Sequence, residues 1–318
     1  MYRVFAFSFV PFIVATGSTY GAEIKNDRLA FTINEFNGSY ALKTTGGVPK
    51  YKTDDDRYLL YAEELPTSTT TVLIDGEPSR VGGPKSKWIV RPRAAAGVAS
   101  YAAEIDSIRV MLDARFVTTP YADGPAAVRL HWLVRNTGTS SRKIQIRAVL
   151  DTFLGAADDA SFVIPGVGAL QRETLHSKKE VPDFWFSLQK PAAPASAMIG
   201  RLRGAPLTTP DVAFFAAFGR FTDSVYLPEI EDKGFSATSL APSDTGCALY
   251  FGPEDLAAGS LIGYTTEISL VDPVVADVGE AVALAVVAPS YAAPDQEFPL
   301  TVIAENVLDS KSVRKFRV

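Results

Sequence analysis

This sequence predicts an all-β fold, a large antiparallel β-sandwich followed by a partial immunoglobulin-like β module. Three observations predict it. Apolar and polar residues alternate with period two along much of the chain, turn signals separate the alternating runs, and helical periodicity is nearly absent. The 318 residues, 47% hydrophobic and 21% charged, suffice for one large or two ordinary domains with a sizeable core. That balance excludes wholesale disorder, and a net charge of −5 makes a poor general nucleic-acid binder. The one cysteine, Cys247, rules out an internal disulfide framework and a cysteine-cluster metal site. Between Gly246 and Ala248 it reads as a small buried hydrophobe.

The first segment, 1–22, has the layout of a secretory signal. Arg3 precedes an apolar stretch from Val4 to Ala15, small residues follow, and charge resumes at Glu23. Pro11 interrupts the run and Thr16 to Ser18 end it short of a bilayer span, so a cleaved leader is expected, with cleavage near Gly21 or Ala22. No later apolar run is long enough to cross a bilayer as a helix. The mature chain is therefore expected in a periplasmic or extracellular space.

The segment 23–271 reads as the large sandwich. Around Asn37-Gly38, RLAFTINEFNGSYALKT offers two strands, and Asp75-Gly76 between β-rich runs signals a hairpin whose type I′ turn needs positive φ. In IRVMLDARFV, Ile108, Val110, Leu112, Ala114 and Phe116 share the core face while Arg109, Asp113 and Arg115 face water. VRLHWLVR places Val128, Leu130, Trp132 and Val134 inward, and KIQIRAVLD does the same with Ile144, Ile146, Ala148 and Leu150. With the turn-rich NTGTSSR at 136–142 between them, these two runs read as an antiparallel hairpin. Prolines 165, 182, 191, 194, 206 and 210 break up the stretch 155–210. EDLAAG at 254–259 can hold one helical turn. After Asp272-Pro273, the remaining 272–318 reads as strands of an immunoglobulin-like module, incomplete because such modules need about 100 residues.

LHWLVRNTG…KIQIRAVLDTFLG (130–155) and SDTGCALYFGPEDLAAGS (243–260) resemble exported bacterial proteins with a galactose-mutarotase-like β-sandwich and a C-terminal immunoglobulin-like module. The shared pattern is a strand ending at Val134 to Thr137, a second running from Arg147 to Gly155, and a return segment from Asp244 to Gly259. Gly246-Cys247-Ala248 departs from the simple apolar strand start of that pattern. The resemblance implies a supersandwich-like fold over roughly 30–270 and leaves activity open, because large sandwiches host many functions. Mutarotase enzymes proper carry histidines and a carboxylate over one concave sheet face. Neither histidine here sits in a matching motif.

Candidate chemistry concentrates on the polar side of the 128–151 pair. His131 lies there with Arg129 and Arg135, and Arg147 and Asp151 share that parity on the following strand. A hairpin turning about residue 139 would set His131 nearly opposite Arg147. Such a ledge could hold the carboxylate of an acidic sugar through Arg129, Arg135 and Arg147, with His131 as acid or base and Asp151 as its catalytic companion. Equally, it could be the solvent face of a sheet, with Asp151 pairing an arginine.

Other features carry less chemistry. His176, in ETLHSKKE, reads as a solvated loop histidine, and with no HxH or HExxH spacing no metal site is expected. TDDDR at 53–57 lacks the glycine and distal glutamate of a calcium loop and reads as an acidic surface loop, and Asp158-Asp159 is a similarly weak signal. FWF at 184–186, Phe214-Phe215, Phe218 and Phe221 suit either core packing or sugar-stacking platforms. Gly82-Gly83 lacks the setting of a phosphate loop, and Ser161, Ser187 and Ser243 lack a nucleophile elbow. No cofactor is implied. Two function classes stay open: a non-catalytic envelope protein with a structural or binding role, its partner a glycan or an envelope protein, or a carbohydrate-active enzyme of mutarotase-like or lyase type.

Overall fold

The computed structural model describes residues 21–49, 54–62, 65–154, 161–188, 197–222, 226–231, 234, 244–271, 274–277, 282–287 and 300–306. The segment 1–20 therefore lies outside the described residues, as do Thr53, Asp158, Asp159 and Ser243. In chain order the strands are β1 (Gly21–Lys25), β2 (Leu29–Asn34), β3 (Tyr40–Thr44), β4 (Tyr58–Leu60), β5 (Thr69–Ile74), β6 (Glu77–Arg80), β7 (Lys87–Ala95) and β8 (Val98–Ile105). The long strands β9 (Ile108–Thr119), β10 (Ala122–Asn136) and β11 (Arg142–Thr152) follow. Shorter ones come next: β12 (Ser161–Ile164), β13 (Gly168–Ala169), β14 (Thr174–Ser177), β15 (Phe184–Leu188), β16 (Ala197–Arg201) and β17 (Val212–Ala217). After a single helical turn, α1 (Gly219–Thr222), the chain closes with β18 (Thr245–Leu256), β19 (Leu261–Val271), β20 (Val274–Asp277), β21 (Val282–Val287) and β22 (Thr301–Asn306).

Two large antiparallel sheets form a sandwich. The first runs β1-β2-β3-β4-β11-β18-β17-β14, with β5 also pairing β11 and carrying β6 on its other edge. The second runs β13-β12-β15-β16-β19-β10-β9-β8-β7. Strands β20, β21 and β22 form a separate three-stranded antiparallel sheet.

The predicted alternation is what joins the two large sheets. Ile108, Val110, Leu112 and Ala114 from β9, Val128, Leu130, Trp132 and Val134 from β10, and Ile144, Ile146 and Ala148 from β11 are all sealed from solvent in one core. Trp132 reaches across it, with its ring centroid 6.2 Å from that of Phe251 and its Nε1 donating to Thr70 Oγ1 at 2.9 Å. A second aromatic bridge joins Phe162 and Trp185 of one sheet to Phe215 of the other. The Asp75-Gly76 turn takes the predicted positive φ values, 51° and 94°.

One expectation is overturned. β10 and β11 are not a hairpin: β10 pairs with β9 and β19 in the second sheet, whereas β11 pairs with β18, β5 and β4 in the first. The 136–142 connection is a corner between sheets, pinned by the buried Asn136. Its Nδ2 donates to the carbonyls of Ser140 and Leu256, both at 2.8 Å, and its Oδ1 accepts from the Gly138 amide at 2.9 Å. A one-sided apolar pattern specifies which face of a strand is dry but not which sheet holds it, so two matched runs could not by themselves distinguish a hairpin from a crossover. The helical turn expected at 254–259 is likewise absent. Strand β18 continues to Leu256, and the chain then turns, with the Ser260 amide donating to the Ala257 carbonyl.

Gly200 of β16 lies directly opposite Trp185, and a Cβ there would stand 2.2 Å from the indole. Because Trp185 is fixed on all sides, Gly200→Ala should destabilise the protein by about 1–3 kcal/mol, whereas Gly219→Ala, with open space around it, should stay within about 0.5 kcal/mol. Urea midpoints measure both, and equal midpoints would contradict this packing.

Candidate functional site

The separation of β10 from β11 divides the predicted ledge. Val128 to Val134 and Ile144 to Leu150 fill the shared core from opposite sides, so Arg129, His131 and Arg135 lie on the outer face of the second sheet. Arg147 and Asp151 lie on the outer face of the first, across the core. His131 faces Asp113 and Thr265, not Arg147. It is half-buried, with Nδ1 2.8 Å from Thr265 Oγ1. Burial holds its pKa below the usual imidazole value; Asp113 draws it back up, and Arg115 and Arg129 press it down further. Arg129 is occupied by Glu267, whose carboxylate is buried and also takes Arg201, each contact at 2.6 Å. Arg135 is exposed opposite Arg109.

On the first sheet, register brings a different set together. One cross-strand row reads Arg80, Thr71, Arg147, Tyr250, Val212; the next reads Thr69, Val149, Ala248, Phe214; a third reads Asp151, Gly246, Ala216. Val149, Phe214, Ala216, Ala248 and Tyr250 form a small apolar layer outside the sheet, covered by Phe221 of α1 with Phe218 and Tyr226 beside it. Gly246 permits this cover, since a Cβ there would meet the rings of Phe218 and Phe221 at 3.1 Å. Arg220 anchors α1 through Glu173 at 2.9 Å and Glu231 at 3.0 Å, and Glu173 also accepts from the Glu231 amide.

Between this cover and β5–β6 lies a cavity of 390 Å3. Thr67, Thr69, Thr71 and Ser79 give it hydroxyl groups, Phe218 and Phe221 an aromatic wall, and Arg80 and Arg147 its charge. Arg147 is 7% exposed. Its Nη1 donates to the Tyr226 carbonyl at 2.8 Å, and its guanidinium lies 5.7 Å from the centroid of the Tyr226 ring. Its Nε has no partner, and no carboxylate pairs with it or with Arg80 among the described residues. Partial desolvation and the nearby Arg147, one strand beyond Thr71, hold the Arg80 guanidinium below its usual pKa. Burial pushes the Tyr250 phenol up to about 12, with Arg147 pulling the other way.

Asp151 closes one end of the face. It accepts a hydrogen bond from Thr67, which lines the cavity, and its carboxyl group is hydrogen-bonded to that of Asp244. Burial pushes Asp244 up to about 6, the Asp151 contact tempering the rise, so Asp244 keeps its proton to a higher pH than a free carboxylic acid does.

The remaining candidates are structural. His176 sits on β14, half-buried with its ring 6.0 Å from Phe215, rather than in a solvated loop. Asp54 of TDDDR is buried and accepts from the Val48 amide at 2.7 Å, so that stretch is not simply an acidic surface loop. Trp185 and Phe215 belong to the main core, Phe184 and Phe186 to an apolar patch outside the second sheet, and Cys247 is buried. Among the described residues no three His, Cys, Asp or Glu side chains gather as metal ligands. Sequence reasoning missed Arg80, the threonines and Asp244 as site residues. The legible signal was TSTTT at 67–71, where alternation puts Thr67, Thr69 and Thr71 on one face.

No family model matches the sequence, and no curated protein matches it. Among solved structures, a galactose mutarotase-like protein from Lactobacillus casei is 7% identical with a TM-score of 0.46, over 78% of this chain and 99% of that one. A putative aldose 1-epimerase from Escherichia coli is 9% identical with a TM-score of 0.42, over 78% and 98%. The α-galactosidase from Lactobacillus brevis is 10% identical at 0.43, over 79% of this chain and 39% of that one. At these scores the likeness carries no inference about ligand or activity.

Asp244 generates a pH prediction. Unfolded, it titrates near the ordinary value of about 3.9, whereas folded it titrates at about 6. Between these values the native state holds a proton that the unfolded chain has released, so this group's contribution to stability falls as pH rises from about 4 to about 6 and is level above. Asp244→Asn should remove roughly 1–3 kcal/mol of that decline, read as the difference between wild-type and variant urea curves across this pH range. Parallel curves would show that the carboxyl is not held protonated.

Proposed function

We propose that the protein is an exported saccharide-binding protein whose binding site is the cavity on the outer face of the first sheet. The observation that carries this reading is the cavity's two-sided lining. Hydroxyl groups of Thr67, Thr69, Thr71 and Ser79 stand on one side and the rings of Phe218 and Phe221 on the other. A sugar ring is amphipathic in the same way, with hydroxyls at its rim and C–H groups on its faces. A volume of 390 Å3 lies within the range of ligand pockets, about 300–1,000 Å3. Export rests on the 1–22 leader pattern, and 272–318 on this reading is an immunoglobulin-like module that extends the protein toward an envelope partner.

The Asp151–Asp244 pair favours a second, catalytic reading. A carboxyl group that keeps its proton to about pH 6 beside another carboxyl is suited to general acid–base work on a glycan, a role that the sequence pattern suggests for His131 with Asp151. His131, across the core, has no part in it.

Titration calorimetry of the mature chain against a panel of oligosaccharides tests the first reading. One or more should bind, and Phe218→Ala should weaken binding roughly 3- to 10-fold without loss of fold. Failure of the whole panel would overturn it. For the second reading, incubation with any bound oligosaccharide should give a new product at a rate that Asp244→Asn abolishes while affinity persists; bound sugar recovered unchanged leaves a binding protein only.

A further inference from the structure

We propose that the ligand of this cavity is a carboxylate-bearing saccharide, a uronic-acid glycan, whose carboxylate seats between Arg147 and Arg80; the proposal rests on the saccharide reading of the same cavity. The fold treats two other buried charges differently. Glu267 is neutralised by Arg129 and Arg201, and Glu173 by Arg220. Arg147 is also out of solvent, yet among the described residues it meets a backbone carbonyl, an aromatic ring and the Tyr250 phenol, and no carboxylate. Asp151, four residues along β11 on the same face, is engaged with Thr67 and Asp244 instead.

Next to Arg147 in the cross-strand row, with Thr71 between them, stands Arg80. Two guanidiniums lining one cavity repel each other, and a buried cation without a counter-anion is unfavourable relative to a paired one. An anion placed between them reverses both effects. The planar fork of a guanidinium matches the two oxygens of a carboxylate, and both Arg147 and Arg80 line the cavity. Thr69, Thr71 and Ser79 then lie where the hydroxyls flanking a sugar carboxylate need partners. The remaining wall, Phe218 and Phe221, carries no charge to oppose the anion.

The test is calorimetry on the full mature chain with three probes: trigalacturonate, its neutral counterpart galactotriose, and a sulfated disaccharide. Trigalacturonate should bind, galactotriose should bind roughly tenfold more weakly or worse, and added salt should weaken the acidic ligand selectively. Arg147→Gln should weaken trigalacturonate roughly 30-fold or more, and Arg80→Gln, at an exposed position, by several-fold. Neither change should affect galactotriose comparably. Equal affinity for the acidic and neutral trisaccharides overturns the carboxylate assignment while leaving the saccharide reading intact. Preference for the sulfated sugar overturns it in favour of a sulfate site. Unchanged trigalacturonate binding in Arg80→Gln also overturns it, and this variant decides the matter if Arg147→Gln does not fold. No binding of any sugar sinks both readings together.

Discussion

Burial of one face of every long strand in a single shared core is the constraint from which the rest follows. Trp132, Phe251, Trp185 and Phe215 interlock across the gap between the sheets, and their surroundings are sealed from water. With the inner faces committed to close packing, any polar chemistry must sit on an outer face, and the two outer faces point away from each other. The sheet in which a strand is laid therefore decides which side chains can cooperate. Asn136 makes that decision at the 136–142 corner, holding Ser140 and the end of β18 with one buried amide. His131 and Arg147 are parted by that turn alone.

The outer faces differ in how they handle charge. On the second sheet, Arg129, Glu267 and Arg201 form a closed set, with each carboxylate oxygen of the buried glutamate met by a guanidinium. Such a set fixes neighbouring strands relative to one another and leaves little free potential. On the first sheet, the same device fastens the cover: Arg220 reaches from α1 to Glu173 and Glu231, holding Phe221 down on Gly246 and Ala248. The cover thus places an apolar roof next to a polar floor. Ion pairs that would have satisfied Arg147 and Arg80 are absent among the described residues, and positive potential accumulates in the cavity beside this roof.

Much of the fold was legible because strand alternation is a local signal. Val128 through Val134 and Ile144 through Leu150 revealed their dry faces, Asp75-Gly76 its positive-φ turn, and Cys247 its burial, each from neighbours a few residues away. Strand partnership is not local. Whether Val134 and Ile144 pack side by side or across a core depends on what Asn136 finds at Leu256 and Ser260, over a hundred residues later. The candidate site failed for that reason. Arg147 and Asp151 do share a face, as parity required, but their companions come from β5, β6, β18 and α1, which no spacing rule links to β11. The TSTTT run displayed its one-sided hydroxyls in the sequence, yet threonines alternate on many solvent faces, and only Phe218 and Phe221 overhead turn these into a lining.

The carboxyl pair and the arginines are best understood as one electrostatic system on one face. Asp151 sits four residues from Arg147 on β11, and an ionised carboxylate there would be drawn toward the nearest cation. Thr67 and Asp244 hold it instead, and while Asp244 keeps its proton, below about pH 6, less negative charge is available to compensate the guanidiniums. The same arrangement that raises Asp244 thereby leaves the face more cationic below about pH 6 than above it. Above about pH 6 the ionised Asp244 offsets part of the positive charge beside it, and any anion in the cavity is bound less tightly. Charge selection at the arginines and the titration of Asp244 are consequently linked, both set by which strands the Asn136 corner brings to the first sheet.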